Sequence, residues 1–221
     1  MDTSAQSIVV LSLHNALGVF QEKAQELGRL DAAAGDGDHG ATMVRGLTAG
    51  VAAIDALAAS LVETGGDCPP GELLIAAGDA FADAAGGASG ALFGALLTTV
   101  GRKLPETGIS PAAVCVALQA GAATVAKLGK AAPGDKTMLD ALAPFAAAFA
   151  AAVELGRDTA AAWHTALPAA ASGAAATADM VAKRGRASRL GERSRGHVDP
   201  GAQSVVYLLG TFDAVLQSHC G

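Results

Sequence analysis

The stretch Ala34-Gly-Asp-Gly-Asp-His-Gly-Ala41 packs two carboxylates, an imidazole and three glycines together, with a further acid, Asp31, just upstream. Asp36 and Asp38 stand two residues apart, a spacing that turns both side chains to one side of an extended segment. Gly35 permits the turn that brings Asp31 toward them. Three converging carboxylates with no lysine between them repel one another, and a hard divalent cation relieves that repulsion. All-oxygen ligation favours Mg²⁺ or Ca²⁺ over zinc, and Mg²⁺ commonly shares its shell with phosphate oxygens. The same residues also suit an Asx-rich turn capping a helix that starts near Ala41. His39 fits a phosphate donor, a general base, a nucleophile or a plain hydrogen-bonding side chain.

Three more loops are dense in glycine and polar groups. Gly86-Gly-Ala-Ser-Gly90 opens a helix, where free N–H groups and the helix dipole suit phosphate. It is not a Walker loop, because no Gly-Lys-Ser/Thr follows. In Pro133-Gly-Asp-Lys-Thr-Met-Leu-Asp140, Asp135 or Thr137 can cap the next helix, and Met138 suits either a flat apolar ligand or the core. From Gly185 to Gly201, several arginines are held between glycines, an arrangement for phosphate oxygens or for a solvated loop.

These loops need elements to hold them, and the sequence supplies helices. Val9, Leu13, Ala16, Phe20, Ala24 and Leu27 step by three or four, with Gly28 placed as a C-terminal cap. Val44, Leu47, Val51, Ile54, Leu57 and Leu61 repeat the pattern. Further helices are expected from about Glu72, from Ser89 to Lys103, from Ser110-Pro111 to near Gly129, and through Leu139, Leu142, Ala146, Phe149 and Val153. A long alanine-rich helix is expected from Asp158 to Lys183, with Pro168 and Gly173 as kinks, and Asp199-Pro200 caps the last. No run alternates at period two, and no linker divides the chain. The expectation is an all-α fold: one domain over residues 1–221 of about eight helices, in which an up-and-down arrangement lets loops of the same end converge on one site.

Composition narrows function. Half the residues are apolar, much of that alanine, and the net charge is −6. No basic groove interleaved with aromatics is present, which argues against nucleic acid. Cys68, Cys115 and Cys220 lack metal-type spacing and read as reduced thiols. The N-terminus has no basic n-region, and the apolar stretch Leu139 to Leu155 is too short to span a bilayer. A soluble, cytoplasmic protein with no membrane partner is expected.

In the order Asp31…GDGDHG, GGASG, GDKTMLD, GRASRLGERSRGHVDPGA, the four loops resemble the nucleotide-binding L subunit of dihydroxyacetone kinase. The resemblance spans residues 31 to 201 and implies an eight-helix barrel holding ADP or ATP and two Mg²⁺. It implies that Asp31, Asp36 and Asp38 are the metal ligands. His39, Gly40, Ala41, Thr42, Ala88 and Ser89 would meet the phosphates, and Gly129 and Met138 would lie beside the adenine. Arg186 would contact the nucleotide, and Asp199, Pro200 and Gly201 would close the pocket. It further implies a K subunit that holds the ketone covalently, so that no residue of this chain is the covalent anchor. In phosphotransferase-linked systems a third, phosphohistidine-bearing M subunit rephosphorylates bound ADP; in other members free ATP is the donor, and tetrulose kinases use the same module. The chain begins with methionine and lacks a K domain, so a freestanding subunit is expected, and a homodimer is compatible with the sequence. Arg189 and Arg195 add charge beyond the family pattern. Two rival readings are an ADP-loaded co-regulator of a transcription factor and a two-metal hydrolase of ADP-ribose-type substrates.

Overall fold

The computed structural model describes residues 5–62, 68–106 and 109–219. Cys220 and the side chain of Leu61 lie outside the described residues. Eight α-helices follow one another: α1 (Ala5–Ala32), α2 (His39–Val62), α3 (Pro70–Ala85), α4 (Gly87–Lys103), α5 (Pro111–Gly129), α6 (Leu139–Glu154), α7 (Thr159–Ala176) and α8 (Pro200–His219). Two 3₁₀ segments, Thr177–Asp179 and Arg186–Ser194, lie between α7 and α8. Among the described residues there is no strand. Alanine's helix propensity makes this outcome cheap, and small side chains let the helices approach closely.

Each helix packs on the next, and α1 also packs on α8, which closes the bundle into a ring. Short connections force neighbours antiparallel; α3 and α4 are joined by Gly86 alone. The links after α1, α3, α5 and α7 therefore gather at one end. The apolar faces expected from periodicity point inward: Val9, Leu13, Ala16, Phe20 and Leu27 of α1 are buried, as are Leu139, Leu142, Ala146 and Phe149 of α6. Trp163 anchors an aromatic cluster with Phe145, Phe149 and Phe212 at centroid distances of 5.0, 6.0 and 5.7 Å. Its indole N–H donates to the Leu209 carbonyl at 2.9 Å, so the polar edge is not stranded in the core.

Three boundaries differ from expectation. α1 does not end at Gly28 but continues to Ala32. Gly28 serves instead as a landing point for the following loop, since a Cβ there would sit 3.1 Å from the Gly37 carbonyl oxygen. α2 begins at His39, two residues before Ala41, and draws the histidine into its first turn. The alanine-rich helix stops at Ala176 instead of Lys183. There Thr177 is fully buried and its hydroxyl accepts from the Asp199 amide at 2.8 Å, which ties the chain to the start of α8. Pro168 and Gly173 lie inside α7, and Gly173 lets it cross α6 at the Asp140 carbonyl.

Two helices, His39–Ser60 and Pro111–Gly129, are long and apolar enough to cross a membrane. Both pack within the ring, α2 on α1 and α3, α5 on α4 and α6. α6, which holds the apolar stretch flagged in the sequence, has 16 residues. Cys68 and Cys115 are unpaired thiols.

Candidate active site at the barrel mouth

Asp31 occupies the last turn of α1, and the loop after it wraps around its carboxylate. Oδ2 accepts the Gly37 amide at 2.9 Å and the His39 amide at 3.4 Å. Gly35 is required because a Cβ would strike the Asp31 side chain, and Gly37 takes φ +80° to complete the turn. Ligand oxygens of Asp31, Asp36 and Asp38 lie within 4.8 Å of one another, the only such group of acids, histidines or cysteines among the described residues. The like charges show in the titration. Burial and the neighbouring Asp36 charge raise the Asp38 pKa, whereas the hydrogen bond from Arg186 holds Asp36 low. Arg186 pairs directly with Asp36 across the mouth. A clustered all-oxygen donor set with two exposed members and one cationic neighbour fits Mg²⁺.

The cluster forms one wall of a cavity of about 680 Å³, large enough for a nucleotide. Opposite lies the N-terminus of α4, where Gly86 and Gly87 take φ +67° and +61° and Ala88 and Ser89 present the first turn. α2, α4, α6 and α8 all begin at this end, each bringing a positive dipole end. The far wall is apolar, built from Leu92, Val125, Leu128, Gly129 and Met138. Leu128 is 56% exposed, so the open cavity leaves an apolar shelf for a flat ligand to cover.

His39 is 5% exposed and links three helices. Nδ1 lies 3.2 Å from Ser89 Oγ on α4, and Nε2 lies 2.9 Å from Ser204 Oγ on α8. Burial lowers its pKa, partly offset by the Asp31 charge and the Pro200 carbonyl. Such a neutral ring positions Ser89 rather than carrying charge. Asp199 caps α8, accepting the Ala202 amide at 2.8 Å, and burial pushes its pKa up to about 7. Pro200, Gly201, Thr42 and Arg186 also line the cavity.

Gly40 and Ala41 follow His39 in the first turn of α2. Ala41 is exposed, and Gly40 lets α2 lie against the Ala24 carbonyl of α1. Of the two capping candidates, Asp135 and Thr137, Asp135 is engaged elsewhere: its carboxylate accepts the Ala132 amide at 3.0 Å and meets Lys183 and Arg184. Thr137 does receive the Leu139 amide, at 3.2 Å, and Asp140 folds the loop by accepting from Gly134 and Thr137.

Four residues escaped the sequence reading. Arg45 reaches across to the Ala84 and Ala85 carbonyls, each at 2.9 Å, and holds the end of α3 at the mouth. A lone arginine one turn after Thr42 was the available signal. Lys136 lies inside the GDKTMLD loop without a role read for it, and Ser204 and Arg184 carry no local motif, because the partners of all three are remote in sequence.

The chain matches the DAK2 domain over residues 33–214. It belongs to the DAK2 domain family. Within that family it is 35% identical to the ADP-binding subunit DhaL of the PEP-dependent dihydroxyacetone kinase of Escherichia coli, over 86% of this chain and 88% of that subunit. It is 47% identical to the D-erythrulose kinase of Mycolicibacterium smegmatis, over 82% of this chain and 30% of that enzyme. The C. freundii dihydroxyacetone kinase solved with AMP-PNP and Mg²⁺ superposes with a TM-score of 0.65 at 25% identity, over 96% of this chain and 34% of that one. The chain thus spans about a third of the length of the first relatives it matches, which are erythrulose kinases. The likeness to the C. freundii structure agrees with the all-helical architecture.

Proposed function

We propose that the chain is the nucleotide-binding component of a dihydroxyacetone kinase. It holds ADP or ATP with two Mg²⁺ at the mouth, and phosphoryl transfer runs to dihydroxyacetone on a separate K subunit. The juxtaposition that carries this reading is the Asp31, Asp36 and Asp38 cluster facing the glycine-opened α4 N-terminus across one cavity. Phosphoryl transfer demands mainly positioning and fixed charge. Asp31, Asp36 and Asp38 would hold the metal ions, which when bound neutralise phosphate charge. Amides of the α4 first turn, Ser89 and Thr42 orient phosphate oxygens, and His39 fixes the Ser89 hydroxyl. Arg186 supplies a mobile cation that exchanges Asp36 for phosphate. Leu92, Leu128 and Met138 take the base. The chain offers no covalent anchor for the ketone. The 35% identity to DhaL, whose name specifies a PEP-dependent enzyme, supports rephosphorylation of bound ADP by a phosphohistidine-bearing M subunit. That reading places the protein in the cytoplasm.

A second reading has a specific observation in its favour. The 47% identity to D-erythrulose kinase supports an ATP-dependent tetrulose kinase module. The nucleotide that co-purifies separates the two. ADP that survives dialysis with Mg²⁺ indicates a captive cofactor, and free exchange with ATP indicates the tetrulose-type enzyme. Asp36→Asn is expected to abolish Mg²⁺-dependent nucleotide binding and turnover while the helical circular dichroism spectrum stays unchanged; full activity in that variant would overturn the metal assignment.

A further inference from the structure

The loop that opens α6 buries a lysine in a strained backbone. Lys136 is 4% exposed and takes φ +61°, a left-handed conformation that costs a non-glycine residue about 1 kcal/mol. Strain of that kind persists where surrounding contacts over-determine it. Lys136 Nζ donates to the Thr177 carbonyl at 2.8 Å and to the His197 carbonyl at 2.6 Å. The preceding residue fastens a different point. The Asp135 carbonyl accepts the Lys183 amide at 3.1 Å, and its carboxylate meets Lys183 at 3.4 Å and Arg184 at 3.2 Å.

Consecutive residues thus pin both ends of one strap, residues 183–197. Asp135 takes the incoming end and Lys136 the outgoing end. Between the pins the strap crosses the mouth and delivers Arg186 to Asp36. Its regular structure is the 3₁₀ segment Arg186–Ser194, broken at Gly191 with φ +53°, and Gly185 and Gly196 bend the chain on either side with φ of +64° and +90°. Ser194 Oγ donates to the Gly191 carbonyl within the strap and accepts from the Ala182 amide just before it, and the Gly196 amide donates to the Ala178 carbonyl at 2.8 Å. With these ties near its ends, the Asp135 and Lys136 fastenings set the path of the strap across the mouth.

We infer that Lys136 is a positioning residue for the nucleotide: it acts through the strap, closing the Asp135-Lys136 clasp that sets Arg186 over the phosphates. Two of its three ammonium hydrogens are spent on carbonyls, which ties its side chain to the backbone on either side of the strap. The inference rests on the nucleotide reading above.

The test is Lys136→Met, which keeps the apolar stem and removes the donors. Limited trypsin digestion with mass-spectrometric mapping reads the strap directly, because Lys183, Arg184, Arg186, Arg189, Arg193 and Arg195 are all potential cleavage points. Cleavage within 183–195 is expected to speed up about tenfold or more, while cleavage at Lys23, Arg45 and Lys127 keeps its rate. In parallel, Mg·ADP affinity is measured calorimetrically for wild type, Lys136→Met, Arg186→Ala and the double variant. Each single change is expected to weaken binding about tenfold, and the double variant no further than the weaker single. Additive losses, unchanged strap cleavage, or faster cleavage at every site would each overturn the inference. If Lys136→Met does not fold, Asp135→Asn loosens the opposite pin by removing its ion pairs with Lys183 and Arg184, and faster cleavage at the same strap sites is expected. Wild-type protein that binds no ADP would defeat the nucleotide reading, and the trypsin map would still decide whether the clasp exists.

Discussion

Asp199 shows how far a single carboxyl is bent to its place. It caps α8 from a buried position, and burial raises its pKa to about 7. The unfolded chain releases this proton near pH 4, the folded chain only near 7. Between those values the folded state binds more protons, so stability falls as pH rises through the window and is level above it. Denaturant titration of nucleotide-free protein is expected to show a loss on the order of 2 kcal/mol from pH 4.5 to 7.5. Asp199→Asn keeps an acceptor for the Ala202 amide and removes the titrating proton, so its stability should be flatter over that range. A slope unchanged by the substitution would assign the effect to other groups. A second residue-scale expectation concerns Trp163, whose indole is held by three phenylalanines and the Leu209 carbonyl. Phe149→Ala opens a cavity against it and should cost about 3–5 kcal/mol, read by tryptophan fluorescence in urea.

Helices were legible because their apolar positions recur at three and four and because Ser110, Asp158 and Asp199 mark starts. The Ser110 and Asp158 side chains do accept the amides of Ala113 and Ala161. Ends were less legible where a distant contact decides them. Nothing local in Thr177 says that α7 stops beside it; the reason is its hydroxyl on the Asp199 amide. Gly28 carried the local signature of a cap, yet it accommodates Gly37. The acid cluster was readable from spacing, whereas Ser204, Lys136 and Arg45 take their places through contacts with residues remote in sequence. Close helix approach gives a test at this scale. Gly40 sits where α2 touches the Ala24 carbonyl of α1. Alanine is the better helix former by about 1 kcal/mol, but here the added Cβ forces the two helices apart. Gly40→Ala should therefore lower the melting temperature and weaken Mg·ADP binding together, since His39 and Asp38 ride on the same turn. A gain in stability would show that the contact relaxes freely.

Across the whole molecule, charge is unevenly spread. The chain carries −6 overall, yet residues 183–197 hold six cationic side chains against Glu192. Some are spent internally: Lys183 and Arg184 on Asp135, Arg186 on Asp36, Arg195 on Glu192. Arg189 and Arg193 are exposed, with no ion-pair partner among the described residues. They lie on the strap that crosses the mouth, where the proposed acceptor-bearing subunit would approach. Charge reversal at both is expected to lower the kcat/KM of coupled phosphoryl transfer about tenfold at low salt, to lose that difference at high salt, and to leave Mg·ADP affinity unchanged. Equal rates at low salt would remove the strap from docking. The closed antiparallel ring has one more consequence. With links after α1, α3, α5 and α7 gathered at the mouth, the start of α1 and the end of α8 emerge together at the opposite end. The 20 residues of α8 separate that end from the mouth by about 30 Å. A biotin or an affinity tag at either terminus therefore anchors the molecule by its base. Immobilised on a sensor surface, it would present its mouth outward to nucleotide and to partner proteins alike.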